Sequence, residues 1–164
     1  RKLHAVETLG SANVICTDKT GTLTVGEMTV RALWTAGVTY EVSGEGYGPD
    51  GTIRAEGGAQ RGPEDPLREL LTVFVGCNGA RGAQQDGVWK VVGDPTEGAL
   101  LTAGAKLPLG AADIERELSR VAEIPFDSDR KRMTVVRRRS DGRLLALTKG
   151  APDVLLGLCT HIRD

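Results

Sequence analysis

Aromatic residues are scarce in this chain, with two Phe, two Tyr and two Trp among 164 residues. Proteins that read single-stranded bases by stacking use a richer aromatic platform. Net charge is almost absent: 21 basic side chains face 22 acidic ones, a formal net charge of -1. No global field therefore steers nucleic acid or anionic lipid, and no nucleic-acid partner is expected. The three cysteines, Cys16, Cys77 and Cys159, are odd in number and widely spaced, and the two histidines, His4 and His161, sit at opposite ends. That spacing excludes a zinc module and favours reduced thiols. No run of about 18–20 apolar residues exists, so no segment of the sequence predicts a membrane span. Neither G-x-G-x-x-G nor G-x-x-x-x-G-K-[ST] occurs, which excludes the dinucleotide fingerprint and the P-loop. The start, Arg1-Lys2-Leu3-His4, has neither a Met nor a signal-type apolar stretch, as expected of a piece of a longer chain.

What remains is an ordinary globular composition, 40% hydrophobic and 26% charged, enough for one core. Residues 13–17 form a short apolar run that predicts a buried strand ending at Asp18. Residues 28–34 and 38–42 are rich in β-formers around a Thr35-Ala36-Gly37 turn. Residues 43–65 hold seven Gly and two Pro with no apolar period and predict a loop. Asp65-Pro66 and Asp94-Pro95 each read as an N-cap followed by a first-turn proline. Leu67, Leu70, Leu71 and Phe74 then follow helical spacing, and Glu97 stands at a capping-box position. A strand over 88–92, a helix over 112–118, a strand from Val121 and a hairpin around Ser140-Asp141-Gly142 follow, before a last helix from Pro152. The expected class is α+β, a mostly antiparallel sheet with helices packed on it. Arg137-Arg138-Arg139 with Arg143 reads as a solvated hairpin tip, because no aromatic residue interleaves it. Cys16 reads as a small buried strand residue.

The chemistry concentrates in Asp18-Lys19-Thr20-Gly21-Thr22-Leu23-Thr24. A carboxylate where a buried strand stops is held at the mouth of a sheet, where ligands bind in α/β folds. The following turn offers N–H groups and hydroxyls to an anion. Such an Asp can attack a phosphoryl group, provided Mg²⁺ and a Lys offset the repulsion between anions. An isolated Asp-x-Thr-Gly would be an Asx-turn; the unbroken string points to the phosphoryl chemistry.

Cys16 through Thr24 resembles the phosphorylation signature of the P-type ATPases, and Val6-Glu7-Thr8-Leu9-Gly10-Ser11 is similar to the lead-in segment of calcium-pump-like members. The resemblance implies Asp18 as phosphate acceptor, Lys19 as neutralising cation, Thr20 as a phosphoryl contact, and Asp18 with the Thr20 carbonyl as Mg²⁺ ligands. Three further stretches follow in the family's order. Gly93 to Leu100 resembles a segment whose Thr96 and Glu97 line an adenine pocket with Asp94 nearby; for Glu97 the sequence alone favours helix capping, and both roles can hold together. Pro125 to Met133 resembles the stretch that supplies an adenine-stacking Phe, here Phe126, with Lys131 toward the phosphates and Met133 near the base. Phe126 sits among charged residues, where an exposed ring can stack on a base. Lys149-Gly150-Ala151-Pro152-Asp153 resembles the pocket-mouth segment, with Lys149 at the mouth and Gly150 allowing close approach.

The resemblance implies residues 1–27 as the start of a dehalogenase-like phosphorylation domain with a hinge near Val25-Gly26-Glu27, preceding a nucleotide-binding domain over 28–164 that is truncated at its C-terminal end. It implies ATP as substrate, Mg²⁺, actuator and transmembrane domains elsewhere in a parent chain, and a place at the cytoplasmic face of a membrane. It further implies cation transport, with calcium suggested by the lead-in, and an unpaired sheet edge open to self-association. Two other classes stay open: a soluble dehalogenase-superfamily phosphatase, which would normally carry a second Asp where Thr20 stands, and a non-catalytic adenine-nucleotide-binding module.

Overall fold

At Ala36-Gly37 (φ 47° and 74°) and at Asp86-Gly87 (φ 52° and 78°) the computed structural model turns the chain through consecutive left-handed residues. That geometry matches the twist of two-residue hairpins. The first turn joins β1 (Ala32–Thr35) to β2 (Val38–Val42), and the second joins β4 (Arg81–Gln85) to β5 (Val88–Val92). The described residues are 10–14, 16–24, 26–58, 66–107 and 109–161. The expected cap at Asp65, the hinge residue Val25 and the lead-in before Gly10 lie outside them.

Among the described residues the strands form three separate antiparallel sheets instead of one. β1-β2-β3, with β3 at Ile53–Ala55, makes the first and the β4-β5 hairpin the second. β6 (Leu118–Asp127), β7 (Arg132–Arg139) and β8 (Leu144–Gly150) make the third. The reason is α1 (Pro66–Gly76), which packs against both β1 and β8 and stands between the two larger sheets. Its Leu67, Leu71 and Val75 join Leu33, Tyr40 and Val42 in one core, with Leu70 and Phe74 packed against it. Val73 and Cys77 face a second core of Met133, Val135 and Leu147. The helical spacing read from the sequence is thus the spacing of the buried face.

The remaining helices are α2 (Pro95–Ala105), α3 (Ala111–Glu117) and α4 (Pro152–Leu158). α2 lies against α1 through small residues. A Cβ on Gly104 would collide with Val75, so only glycine lets the two helices come this close. None of these helices is long and apolar enough to cross a membrane.

Several expectations are corrected. Residues 13–17 form no strand in their described part, and Cys16 is exposed. No strand pairs with this segment among the described residues, so its peptide groups have no ladder to join. Lys19–Leu23 instead closes a single π-type turn, with the Thr24 N–H donating to the Lys19 carbonyl at 3.2 Å. The described part of the 43–65 stretch, residues 43–58, is no plain loop. Ser43 and Thr52 close its first part through hydroxyl and backbone bonds, Lys106 Nζ donates to the Asp50 carbonyl at 2.5 Å, and β3 follows.

Arg137 also departs from expectation. Arg138 and Arg139 are exposed, but Arg137 is 5% exposed. Its Nε donates to the Gly76 carbonyl at the end of α1 (2.8 Å), and its Nη1 to the Leu118 carbonyl (2.7 Å) and Glu115 Oε2 (2.8 Å). A cation on an orphan carbonyl at a helix C-terminus complements the helix dipole. These bonds tie α1, α3 and the third sheet at one point. Arg137, and then the Arg120 N–H, hold the Glu115 carboxyl below its ordinary value of 4.5. A carboxyl so depressed stabilises the fold fully above the ordinary glutamate range, and that contribution is lost as pH falls through the lower folded value. Replacing Arg137 by Ala removes its bonds to the Gly76 and Leu118 carbonyls and to the half-exposed Glu115, and should cost about 3 kcal/mol in urea unfolding. Glu115→Gln should remove part of the acid-induced loss of stability in the same assay.

Candidate functional site

α2 begins where Asp94 caps it. Asp94 Oδ1 accepts from the Thr96 N–H (2.8 Å) and the Glu97 N–H (3.1 Å), with Pro95 in the first turn. The Glu97 N–H, before other causes, holds the Asp94 carboxyl below its usual value. Asp94 therefore serves as the cap, and Glu97 is free for another task. The capping role that the sequence favoured for Glu97 is overturned: its Oε1 accepts from Lys149 Nζ at 2.5 Å and its Oε2 from the Gly79 N–H at 3.2 Å. A full positive charge on one oxygen and a backbone donor on the other hold the carboxylate away from its own helix terminus. Both side chains of the pair are mostly buried, 17% exposed for Glu97 and 19% for Lys149. The Thr96 hydroxyl donates to Met28 Sδ at 3.5 Å.

Lys149 is placed by strand register. On β8 it stands opposite Met133 of β7, so the two share a face of the sheet. Met133 is buried in the second core with Cys77. Burial pushes the Cys77 thiol pKa up, and the nearby Lys149 charge only partly offsets this.

Phe126 enters from β6. The β6–β7 register runs Ile124 to Thr134 and then skips to Asp127 opposite Arg132. Pro125 and Phe126 thus oppose the single residue Met133. Proline lacks an N–H, and a bulge is where a strand tolerates it. Phe126 is 64% exposed on this bulge. Phe126, Met133 and Lys149 therefore fall in one row across three strands. A turn follows directly, with the Lys131 N–H donating to the Asp127 carbonyl at 2.7 Å and Lys131 exposed at φ 50°. Gly150 is needed for a reason other than the expected one. A Cβ there would meet the Lys131 carbonyl oxygen and Arg132 Cα, so the space it leaves is filled by the chain's own β7 backbone.

The structure therefore gathers Glu97, Phe126, Lys131, Met133, Lys149 and Gly150 at one end of the third sheet, with Asp94 and Thr96 on the adjoining turn. Asp18 and Lys19 are exposed, and the hydrogen bonds described around them are local, from Thr17 Oγ1 to the Asp18 carbonyl and from Thr24 to the Lys19 carbonyl. The Thr20 side chain lies outside the described set. Two residues were missed by sequence reasoning. Asn78 and Gly79 follow α1 directly, and an Asn-Gly pair after a helix is a recognisable punctuation signal. A separate groove of 1130 Å³, lined by Arg68, Thr72, Arg116, Leu118 and Leu147, contains none of the residues named from the motifs.

An exposed ring, an ion pair with a lysine and a capped helix start can together receive a flat base carrying anionic groups. The family described as P-type ATPase, cytoplasmic domain N, matches residues 66–164. The chain belongs to this family. It is 45% identical over 163 residues to a calcium-transporting ATPase of Bacillus subtilis (strain 168), covering 99% of this chain and 18% of that protein. It is 42% identical over 165 residues to the cation-transporting ATPase pma1 of Synechocystis, covering 97% of this chain and 18% of that protein. The calcium-transporting ATPase type 2C member 1 of Bos taurus is 38% identical over 165 residues, with 98% of this chain and 17% of that protein covered. The chain thus spans 18% of the first two relatives and 17% of the third.

The three thiols give a direct test of the site's floor. Cys16 and Cys159 are exposed and Cys77 is buried. A maleimide at neutral pH should label Cys16 and Cys159 quickly and Cys77 only on unfolding, read by peptide mass spectrometry. Equal rates would contradict the burial described here.

Proposed function

We propose that this chain is the ATP-receiving part of a cation-transporting P-type ATPase. The observation that carries the reading is the convergence of Glu97, Phe126 and Lys149 from three separate motifs onto one end of one sheet. In this reading the adenine stacks on the Phe126 ring, Glu97 and Thr96 border the base, and Lys149 and Lys131 meet the phosphates. Residues 28–164 act as the nucleotide-binding domain, and residues 1–27 as the start of a phosphorylation domain with a hinge near Gly26. Hinge closure would bring the γ-phosphate to Asp18. An Asp18 carboxylate oxygen then bonds to the γ-phosphorus. The bond from that phosphorus to the bridging oxygen breaks, and ADP leaves with the electron pair.

Mg²⁺ fits this reading. Among the described residues no cluster of three or more His, Cys, Asp or Glu could hold a metal on its own. Asp18 is exposed and makes no capping bond to the turn that follows it. One free carboxylate and the Thr20 carbonyl suit an ion that keeps several waters and arrives with phosphates. When bound, it supplies charge neutralisation at the transferring phosphoryl group. Lys19 adds a fixed positive charge beside Asp18. The parent protein would hold actuator and transmembrane domains, with this segment on the cytoplasmic face. Calcium is the proposed cation, on the strength of the names of the Bacillus subtilis and Bos taurus relatives.

Two experiments test the reading. Calorimetric titration of this chain should show ATP binding without phosphate release, and Phe126→Ala should weaken it roughly 5- to 100-fold through lost stacking. Unchanged affinity would remove Phe126 from the pocket. The full-length protein, given γ-labelled ATP and Mg²⁺, should retain label covalently and lose it in Asp18→Ala. Persistent label in that variant would exclude Asp18 as acceptor.

A further inference from the structure

Asn78 is 6% exposed, and its side chain is spent entirely on holding neighbours together. Its Nδ2 donates to the Phe74 carbonyl of α1 (3.1 Å) and to the Glu97 carbonyl in the first turn of α2 (2.9 Å). Its Oδ1 accepts from the Ala80 N–H at 2.8 Å. One amide therefore pins the end of α1, the turn Cys77–Ala80 and the start of α2. Between the two bonded residues of that turn, the Gly79 N–H reaches Glu97 Oε2 at 3.2 Å. Glu97 is thus fixed twice, through its main chain by Asn78 and through its carboxylate by the turn that Asn78 shapes. Its other oxygen is the one that receives Lys149. Space allows little else, since a Cβ on Gly93 would stand 3.0 Å from Ala80 Cα and one on Gly79 would stand 3.2 Å from Glu97 Oε2.

We propose that Asn78 is a positioning residue for nucleotide binding, acting through the Cys77–Ala80 turn to set the Glu97 carboxylate against Lys149; this rests on the nucleotide reading given above. Asn78 does not touch the ligand. It determines where the acidic wall of the pocket stands. Replacing it with Asp keeps the acceptor for Ala80 but turns two donations into carboxylate–carbonyl repulsion.

The test is a double-mutant cycle with ATP as the probe, read by calorimetry alongside Tm. Asn78→Asp should weaken ATP binding about tenfold in the otherwise unchanged chain, and by less than about twofold in a Glu97→Ala background, because the two residues act as one unit. A residue that merely supports the fold would lower affinity equally in both backgrounds, and that result would overturn the proposal. Gly79→Ala supplies a second route, pressing a methyl toward Glu97 Oε2 while leaving the Asn78 amide intact. If Asn78→Asp fails to fold, loss of affinity in Gly79→Ala only when Glu97 is present supports the turn as the positioning device, and equal loss overturns it. ATP binding by the unchanged chain with no effect of either variant overturns the positioning role alone. No ATP binding by the unchanged chain overturns the nucleotide reading and this proposal with it.

Discussion

A carboxylate and an ammonium 52 positions apart in the chain meet at 2.5 Å. Glu97 comes from the first turn of a helix and Lys149 from the end of a strand. Neither charge is well hydrated, and each would be costly to leave alone. Each therefore holds the other in place. The rest of the third sheet is arranged around this pair. Met133 and Cys77 close the space beneath it, and the bulge at Pro125 projects Phe126 from the same row.

The pair can hold only because its two supporting elements are locked together, and α1 does the locking. Helix α1 faces one core on each side and ends at the buried guanidinium of Arg137. Directly beyond that end, the Asn78 side chain reaches across to the Glu97 carbonyl in the first turn of α2. The same short stretch, Gly76 to Ala80, thus joins the stability of the fold to the geometry of the site. This is why three small sheets, none extensive alone, can hold Glu97, Lys149 and Phe126 at one place.

Much of this was legible in the sequence. The buried face of α1, the cap at Asp94, the 38–42 strand and the Asp141-Gly142 hairpin all follow local patterns that short-range physics enforces. The exposed Phe126 was legible from its charged neighbours. The β4 strand was not, because Arg81-Gly82-Ala83-Gln84-Gln85 has no β-branched or aromatic residue; its strand character comes from pairing across the Asp86-Gly87 turn. Arg137 looked like one of four surface cations, and only the carbonyl left at the end of α1 explains its burial. Glu97 looked like a capping-box residue, and a partner 52 positions away decided otherwise. The 13–17 run failed as a strand because apolar composition specifies a strand only where another strand offers a ladder. Each miss turns on a long-range partner, present or lacking, that a local rule does not see.

Backbone amide and side-chain NMR of this chain during an ATP titration tests the central claim most directly. Binding at the Glu97–Lys149 pair predicts saturable shifts at Glu97, at Phe126 and along Lys149-Gly150, with the Lys149 ammonium resonance moving most among the lysines. Shifts confined to the groove around Arg68, Arg116 and Leu147, or no shifts at all, would contradict it.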